Sequence, residues 1–107
     1  MRPLATELAT RLTQVNAAKQ RWLVVEKQGK QYLYATYKFK TFKRTWDFLN
    51  GVATCAHTQR HHPEIFTVYN RVDLWLTTHD QGDVVTEKDF DLAEGANDVI
   101  SNLPKTS

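Results

Sequence analysis

Hydrophobic periodicity along this chain switches between helical and extended in a fixed order, and that order constrains the fold more than any single residue. Leu4, Ala5, Leu8, Leu12 and Val15 recur at helical spacing behind Pro3, which suits a first helical position. The pattern predicts a helix over about residues 3–16. Trp22-Leu23-Val24-Val25 and the run from Gln31 to Phe39 are rich in β-branched and aromatic residues, and Lys27-Gln28-Gly29-Lys30 between them reads as a hairpin connection. Thr41 then offers an N-cap, and Phe42, Trp46, Leu49, Val52, Ala53 and Ala56 follow at i, i+3, i+4 spacing. This second helix is expected to run to about residue 60, because His62 precedes Pro63 and a residue before proline avoids helical geometry. Ile65 to Thr78 reads as strand folded around Asn70-Arg71, with Val72, Leu74 and Leu76 on one face. Thr86-Glu87-Lys88-Asp89 has the form of a capping box, and Phe90, Ala93, Ala96, Val99, Ile100 and Leu103 give a third helical stripe that Pro104 closes.

The resulting order, α-β-β-α-β-β-α, predicts an α+β fold: a four-stranded antiparallel sheet with three helices packed on one face. The 107 residues suit one domain spanning 1–107, and 41% hydrophobic with 24% charged residues matches ordinary globular composition. A domain of this size is fairly marginal alone, and such a sheet leaves one face and an edge uncovered. Both points lead us to expect a homodimer or homotetramer. Cys55 is the only cysteine, so no internal disulfide forms, and it reads as a small core hydrophobe. The net charge of +2 is too small to imply a polyanion partner. Met1-Arg2-Pro3-Leu4 lacks the continuous apolar core of a signal peptide, and no apolar run approaches the ~20 residues of a membrane span. The cytoplasm, or the nucleus by diffusion, is the expected compartment.

All four histidines fall between positions 57 and 79: His57, His61, His62 and His79. Histidine both gives and takes a proton near neutrality, so the grouping suggests a site. His57 and His61, four apart, can point from one face of the second helix, with His62 where that helix must stop. Three readings follow from the residues. They are polar helix-end residues favoured by the helix dipole; or a His-x-x-x-His pair with a third imidazole holds zinc; or converging imidazoles perform metal-free acid–base catalysis. The chain lacks the Glu after the first His that a hydrolytic zinc helix would use. Residue types alone leave acid–base and metal chemistry both open. A rival site lies in the stretch Tyr34 to Arg44, which interleaves aromatics with Lys and Arg as a single-stranded RNA surface would. Ordinary sheet packing with solvated cations explains it better, since charge is near neutral and no RNP-type glycine pattern is present.

The string His57-x-x-x-His61-His62-Pro63, then Tyr69, then His79, then Asp89, resembles the signature of the pterin-4a-carbinolamine dehydratases. His61-His62-Pro63-Glu64, Val68-Tyr69-Asn70-Arg71-Val72 with Thr77-Thr78-His79, and Leu92-Ala93 carry the likeness over nearly the whole chain. The resemblance implies a hydro-lyase that converts 4a-hydroxytetrahydropterin to the quinonoid dihydropterin in tetrahydrobiopterin recycling, with no metal and no cofactor. It implies His61, His62 and His79 as catalytic residues: His61 and His79 the acid–base pair on either side of C4a, His62 chiefly holding the pterin. Thr77, Thr78 and His57 join His62 as implied substrate contacts, while Asp89 is expected to cap the third helix. The family often has acidic residues at positions 57 and 60; His57 and Arg60 stand there in this chain, leaving no carboxylate at those positions to orient His61. Animal relatives also serve as dimerisation cofactors of a homeodomain transcription factor, so the resemblance extends to a transcription-factor partner, with neither nucleic acid nor membrane expected as a direct ligand.

Overall fold

The computed structural model describes residues 5–17 and 22–103, so the expectations placed on Pro3, Leu4 and Pro104 lie outside the described residues. Along the chain it has α1 (Ala5–Val15), β1 (Leu23–Lys27), β2 (Lys30–Lys38), α2 (Phe42–Gln59), β3 (Glu64–Val68), β4 (Arg71–Leu76), a single 3₁₀ turn (His79–Gln81) and α3 (Glu87–Asn102). The expected α-β-β-α-β-β-α order is the observed one. The strands form one antiparallel sheet in the order β1-β2-β4-β3, so the two hairpins meet at the central β2–β4 pair.

Each hairpin closes with a two-residue connection that forces a positive φ. Gln28 and Gly29, at φ 54° and 78°, link β1 to β2, the twist that hairpins favour. The second turn lies at Tyr69-Asn70, one residue before the position expected from sequence, with Tyr69 at φ 50°. Register follows from the hydrophobic alternation. Leu33, Ala35 and Tyr37 stand opposite Leu76, Leu74 and Val72, and all six are buried on one face. Val15, Phe48, Leu49, Val52, Phe90, Leu92, Ala93 and Ala96 from the three helices close the core over that face.

The core stripe of α2 differs from the expected one. Thr45, Phe48, Leu49, Val52 and Ala56 are buried, whereas Phe42 and Trp46 are exposed and pack on each other with ring centroids 6.3 Å apart. The buried stripe keeps Leu49, Val52 and Ala56 and is rotated toward Thr45 and Phe48 by less than the ~100° that separates successive residues. Thr45 tolerates burial because its hydroxyl donates to the Thr41 carbonyl at 2.8 Å. Packing against α3 explains the rotation. Gly51 faces Val99, whose Cγ1 would lie 2.5 Å from a β-carbon at position 51, and Cys55 Sγ would lie 3.2 Å from one at Gly95. Cys55 is half-buried in that crossing. α1 is fastened to α3 by Arg11, which reaches Glu87, Asp91 and Glu94 and lies 5.3 Å from the Phe90 ring centre.

Among the described residues the opposite sheet face carries no helix. Leu23, Phe66 and Val68 are each more than half exposed there, around a cluster in which Tyr34 and Trp75 lie 4.2 Å apart and Lys27 sits 4.8 Å over the Trp75 ring. Among the described residues no helix is long and apolar enough to cross a membrane.

One core group is left unpaired. Tyr37 is 4% exposed, packed between Trp22, Phe39 and Phe48, and its hydroxyl has no hydrogen-bond partner among the described residues. Burial pushes its phenol well above the usual range. An unpaired buried hydroxyl costs about 1–3 kcal/mol. Tyr37→Phe is therefore expected to leave stability unchanged or raise it by about 1 kcal/mol, read as the urea midpoint at constant slope.

Candidate functional site

α2 ends in a hydrogen-bonded stop, not at the proline. Arg60 takes the left-handed conformation at φ 54°, its N–H donates to the His57 carbonyl at 3.3 Å, and the His61 N–H donates to the Ala56 carbonyl at 3.1 Å. This pair of bonds is the Schellman arrangement. The reading that His57 and His61 share a helical face is corrected by it. His57 stays on the last helical turn, exposed, while the reversal at Arg60 carries His61 off the helix and inward.

His61 meets a carboxylate that the sequence reading had given only a capping role. Its Nε2–H donates to Asp89 Oδ1 at 2.6 Å, and Asp89 is fully buried. The other oxygen, Oδ2, accepts from the Thr86 N–H and the Thr78 hydroxyl, both at 2.8 Å. Thr86 in turn caps α3, so Asp89 completes the expected capping box and also holds His61. Since the one proton of the Thr78 hydroxyl goes to Asp89, the 2.6 Å contact between the Thr78 and Thr86 hydroxyls requires Thr86 to donate. Every atom of this buried network is satisfied, which fixes the ring of His61 and leaves Nδ1 as its free nitrogen. Asp89 thus supplies the orienting carboxylate that positions 57 and 60 lack.

His79 lies one residue beyond Thr78, so the Asp89 network ties its segment to His61. It opens the 3₁₀ turn, is largely exposed, and its Nδ1–H donates to Asp83 Oδ1 at 2.6 Å, leaving Nε2 free. The loop behind it is pinned by main-chain bonds: Thr78 N–H to Val84 O, Asp83 N–H to Thr78 O, and Gln31 N–H to Asp83 O. Gln31, buried at the start of β2, also accepts the Val85 N–H on its side-chain oxygen. His62 is exposed beside His61.

Thr77 and Thr78 were expected to meet the substrate's polar edge through their hydroxyls. The structure commits both elsewhere: Thr77 Oγ1 donates to the Gln31 carbonyl at 2.7 Å, Thr78 Oγ1 serves Asp89, and both residues are buried. Their role in the geometry is to anchor the loop that presents His79. Asp83 and Gln31 went unnoticed in the sequence, although the His79-x-x-x-Asp83 spacing was a readable signal. A groove of about 430 Å³ beside His61, lined also by Gln59, Lys88 and Asp91, opens between the end of α2 and the start of α3. Among the described residues no three His, Cys, Asp or Glu side chains gather as a metal site would require. Two imidazoles, each with one nitrogen held by a carboxylate and the other left for a ligand, have the chemistry to give and accept protons.

A family model described as Pterin 4 alpha carbinolamine dehydratase matches residues 3–99. A Thermomicrobium roseum protein is 46% identical over 76 residues, 71% of this chain and 80% of its own length. A Rhizobium meliloti protein is 44% identical over 72 residues, 67% of this chain and 66% of its own. Both bear names that assign them provisionally to pterin-4-alpha-carbinolamine dehydratase. The crystal structure of transcriptional coactivator/pterin dehydratase from Brucella melitensis is similar with a TM-score of 0.78 at 33% identity, covering 92% of this chain and 98% of that one. A pterin dehydratase-like protein identified as a RuBisCO assembly factor in the alpha-carboxysome shares the fold alone, at 20% identity and a TM-score of 0.61 over 73% of this chain and 87% of that one.

Proposed function

The chain belongs to the Pterin 4 alpha carbinolamine dehydratase family, and from that premise we propose that it removes water from a 4a-hydroxytetrahydropterin to give the quinonoid dihydropterin. The observation that carries this reading is the buried Asp89 carboxylate, which holds His61 through one oxygen and the Thr78 segment leading into His79 through the other. Two oriented imidazoles are what the elimination needs. The C4a–O bond breaks with its electron pair as an imidazolium protonates the departing hydroxyl, which leaves as water. The lone pair of the adjacent ring nitrogen forms the new C=N bond. The proton then released from the ring passes to the neutral imidazole, so the two rings exchange protonation states and no electron is gained or lost. His61 and His79 are the acid–base pair, and His62, exposed next to His61, holds the pterin.

The same reading includes self-association. The uncovered sheet face with Leu23, Phe66 and Val68, and β3 as an exposed edge strand, support a homodimer or homotetramer. A transcription-factor partner comes to this chain only by analogy with the similar Brucella melitensis protein.

The test is direct. Purified protein is expected to accelerate loss of 4a-hydroxytetrahydropterin absorbance over the uncatalysed rate, equally with and without chelator. A rate no faster than buffer would end the dehydratase reading, and a chelator-sensitive rate restored by zinc would replace it with the metal alternative.

A further inference from the structure

We propose that Asp83 is a positioning residue for His79, fixing which imidazole nitrogen faces the substrate; the proposal rests on the reading of His79 as one of the acid–base pair. The contact is short, 2.6 Å from His79 Nδ1 to Asp83 Oδ1, and it spans four residues of an exposed loop. What makes it more than a surface ion pair is the backbone beneath it. Asp83 sits at φ 60°, directly after Gly82 at φ 88°. A left-handed conformation favours glycine, and a residue with a β-carbon held there is strained. The strain is imposed from both sides by main-chain bonds, since the Asp83 N–H donates to Thr78 O at 3.1 Å and its carbonyl accepts from Gln31 N at 2.9 Å. Those bonds do not depend on the side chain. A glycine would serve the turn better, yet the carboxylate stands where it can reach the ring of His79.

The chemical consequence is a tautomer. A neutral histidine carries one proton on two nitrogens, and the hydrogen bond made by one nitrogen decides where that proton lies. An acceptor on Nδ1 places the proton there and leaves the Nε2 lone pair free to act as base. His61 has the reverse assignment, with Nε2–H bound to Asp89 and Nδ1 free. The two rings therefore leave opposite nitrogens free. Without Asp83, the ring of His79 would turn on an exposed loop with no fixed tautomer.

Three variants separate positioning from structure. Imidazole ¹⁵N shifts should report the Nδ1–H form of neutral His79 in the wild type, a move toward Nε2–H in Asp83→Ala, and retention of Nδ1–H in Asp83→Asn, whose amide oxygen still accepts. Dehydratase kcat should fall about 10-fold in Asp83→Ala with KM little changed, and Asp83→Asn should recover most of it. Asp83→Gly should lose activity as Asp83→Ala does while Tm holds or rises, because the strain is relieved. A purely structural role would instead lower Tm together with activity in Asp83→Gly, which would overturn the proposal. So would unchanged ¹⁵N shifts in Asp83→Ala, or shifted ones with wild-type kcat. An inactive wild type would overturn the dehydratase reading and the catalytic role with it. The nitrogen shifts tell that failure from failure of the pairing itself, since they register the Asp83–His79 bond without turnover.

Discussion

Replacing His61 with alanine is expected to lower kcat for pterin dehydration by about 10²-fold or more, the usual contribution of a positioned proton-transfer group. KM should change far less, because His62 and the groove walls at Gln59, Lys88 and Asp91 remain. His79→Ala is expected to do the same from the other side of the reacting carbon. If the rings act in one concerted exchange, the double variant should be scarcely slower than either single one, since groups acting as a unit are strongly non-additive. Circular dichroism must accompany the kinetics, because His61→Ala also strips Asp89 of one partner. Wild-type rates in both single variants would remove the acid–base assignment. A large loss in one and none in the other would leave a single proton carrier working with water.

The second large effect lies at Asp89, where stability and chemistry meet. Asp89→Ala deletes the N3 side of a capping box and leaves the buried Thr78 hydroxyl and Thr86 N–H without their acceptor. Loss of the cap bond to the Thr86 N–H costs about 1 kcal/mol and the stranded buried Thr78 hydroxyl about 1–3 kcal/mol more, so a total near 3 kcal/mol is expected. For a domain of this size that lowers Tm by roughly 12 °C. Asp89→Asn divides the two roles. Its amide oxygen can still accept from Thr86 and Thr78, so most stability should survive. Its NH₂ would then face Nε2 of His61, which can no longer donate, and the ring must move its proton to Nδ1, the nitrogen otherwise free for chemistry. Misplacing the proton on an intact geometry is severe where it has been engineered into other catalytic histidines. A stable Asp89→Asn variant with a strongly reduced kcat is the expected result. Unchanged activity would show that the His61–Asp89 bond is structural only.

Element order and sheet type were legible in the sequence because each rests on a local period: 3.6 along the helices, 2 along β2 and β4. The same local logic failed where three dimensions decide. Phe42 and Trp46 are the largest apolar side chains at the start of α2, and periodicity alone assigns them to the core. The close approach of Gly51 to Val99 turns them outward and brings Thr45 and Phe48 in. The end of α2 was placed well but for the wrong reason, since Pro63 restrains only itself and His62 before it, whereas the αL turn at Arg60 ends the helix earlier and releases His61. The candidate site shows the same division. His61, His62 and His79 could be picked out by residue type and spacing. Asp89 could be read as a cap, because a capping box is a four-residue pattern, but its bond to His61 joins positions 28 residues apart and no local rule encodes it. The partners of Thr77 and Thr78 were hidden for the matching reason: only the fold shows their hydroxyls donating to Gln31 and Asp89.

Because one carboxylate both starts α3 and aims His61, the proposed chemistry and order at a single helix terminus become the same event. Unwinding the first turn of α3 withdraws Asp89 from His61 while the sheet, α2 and the rest of the core stay in place. Helix ends are where folded chains open most readily. On the proposed mechanism an opening confined to that terminus would also silence the molecule, and sequence changes along the start of α3 would be constrained by reactivity even where they touch no ligand.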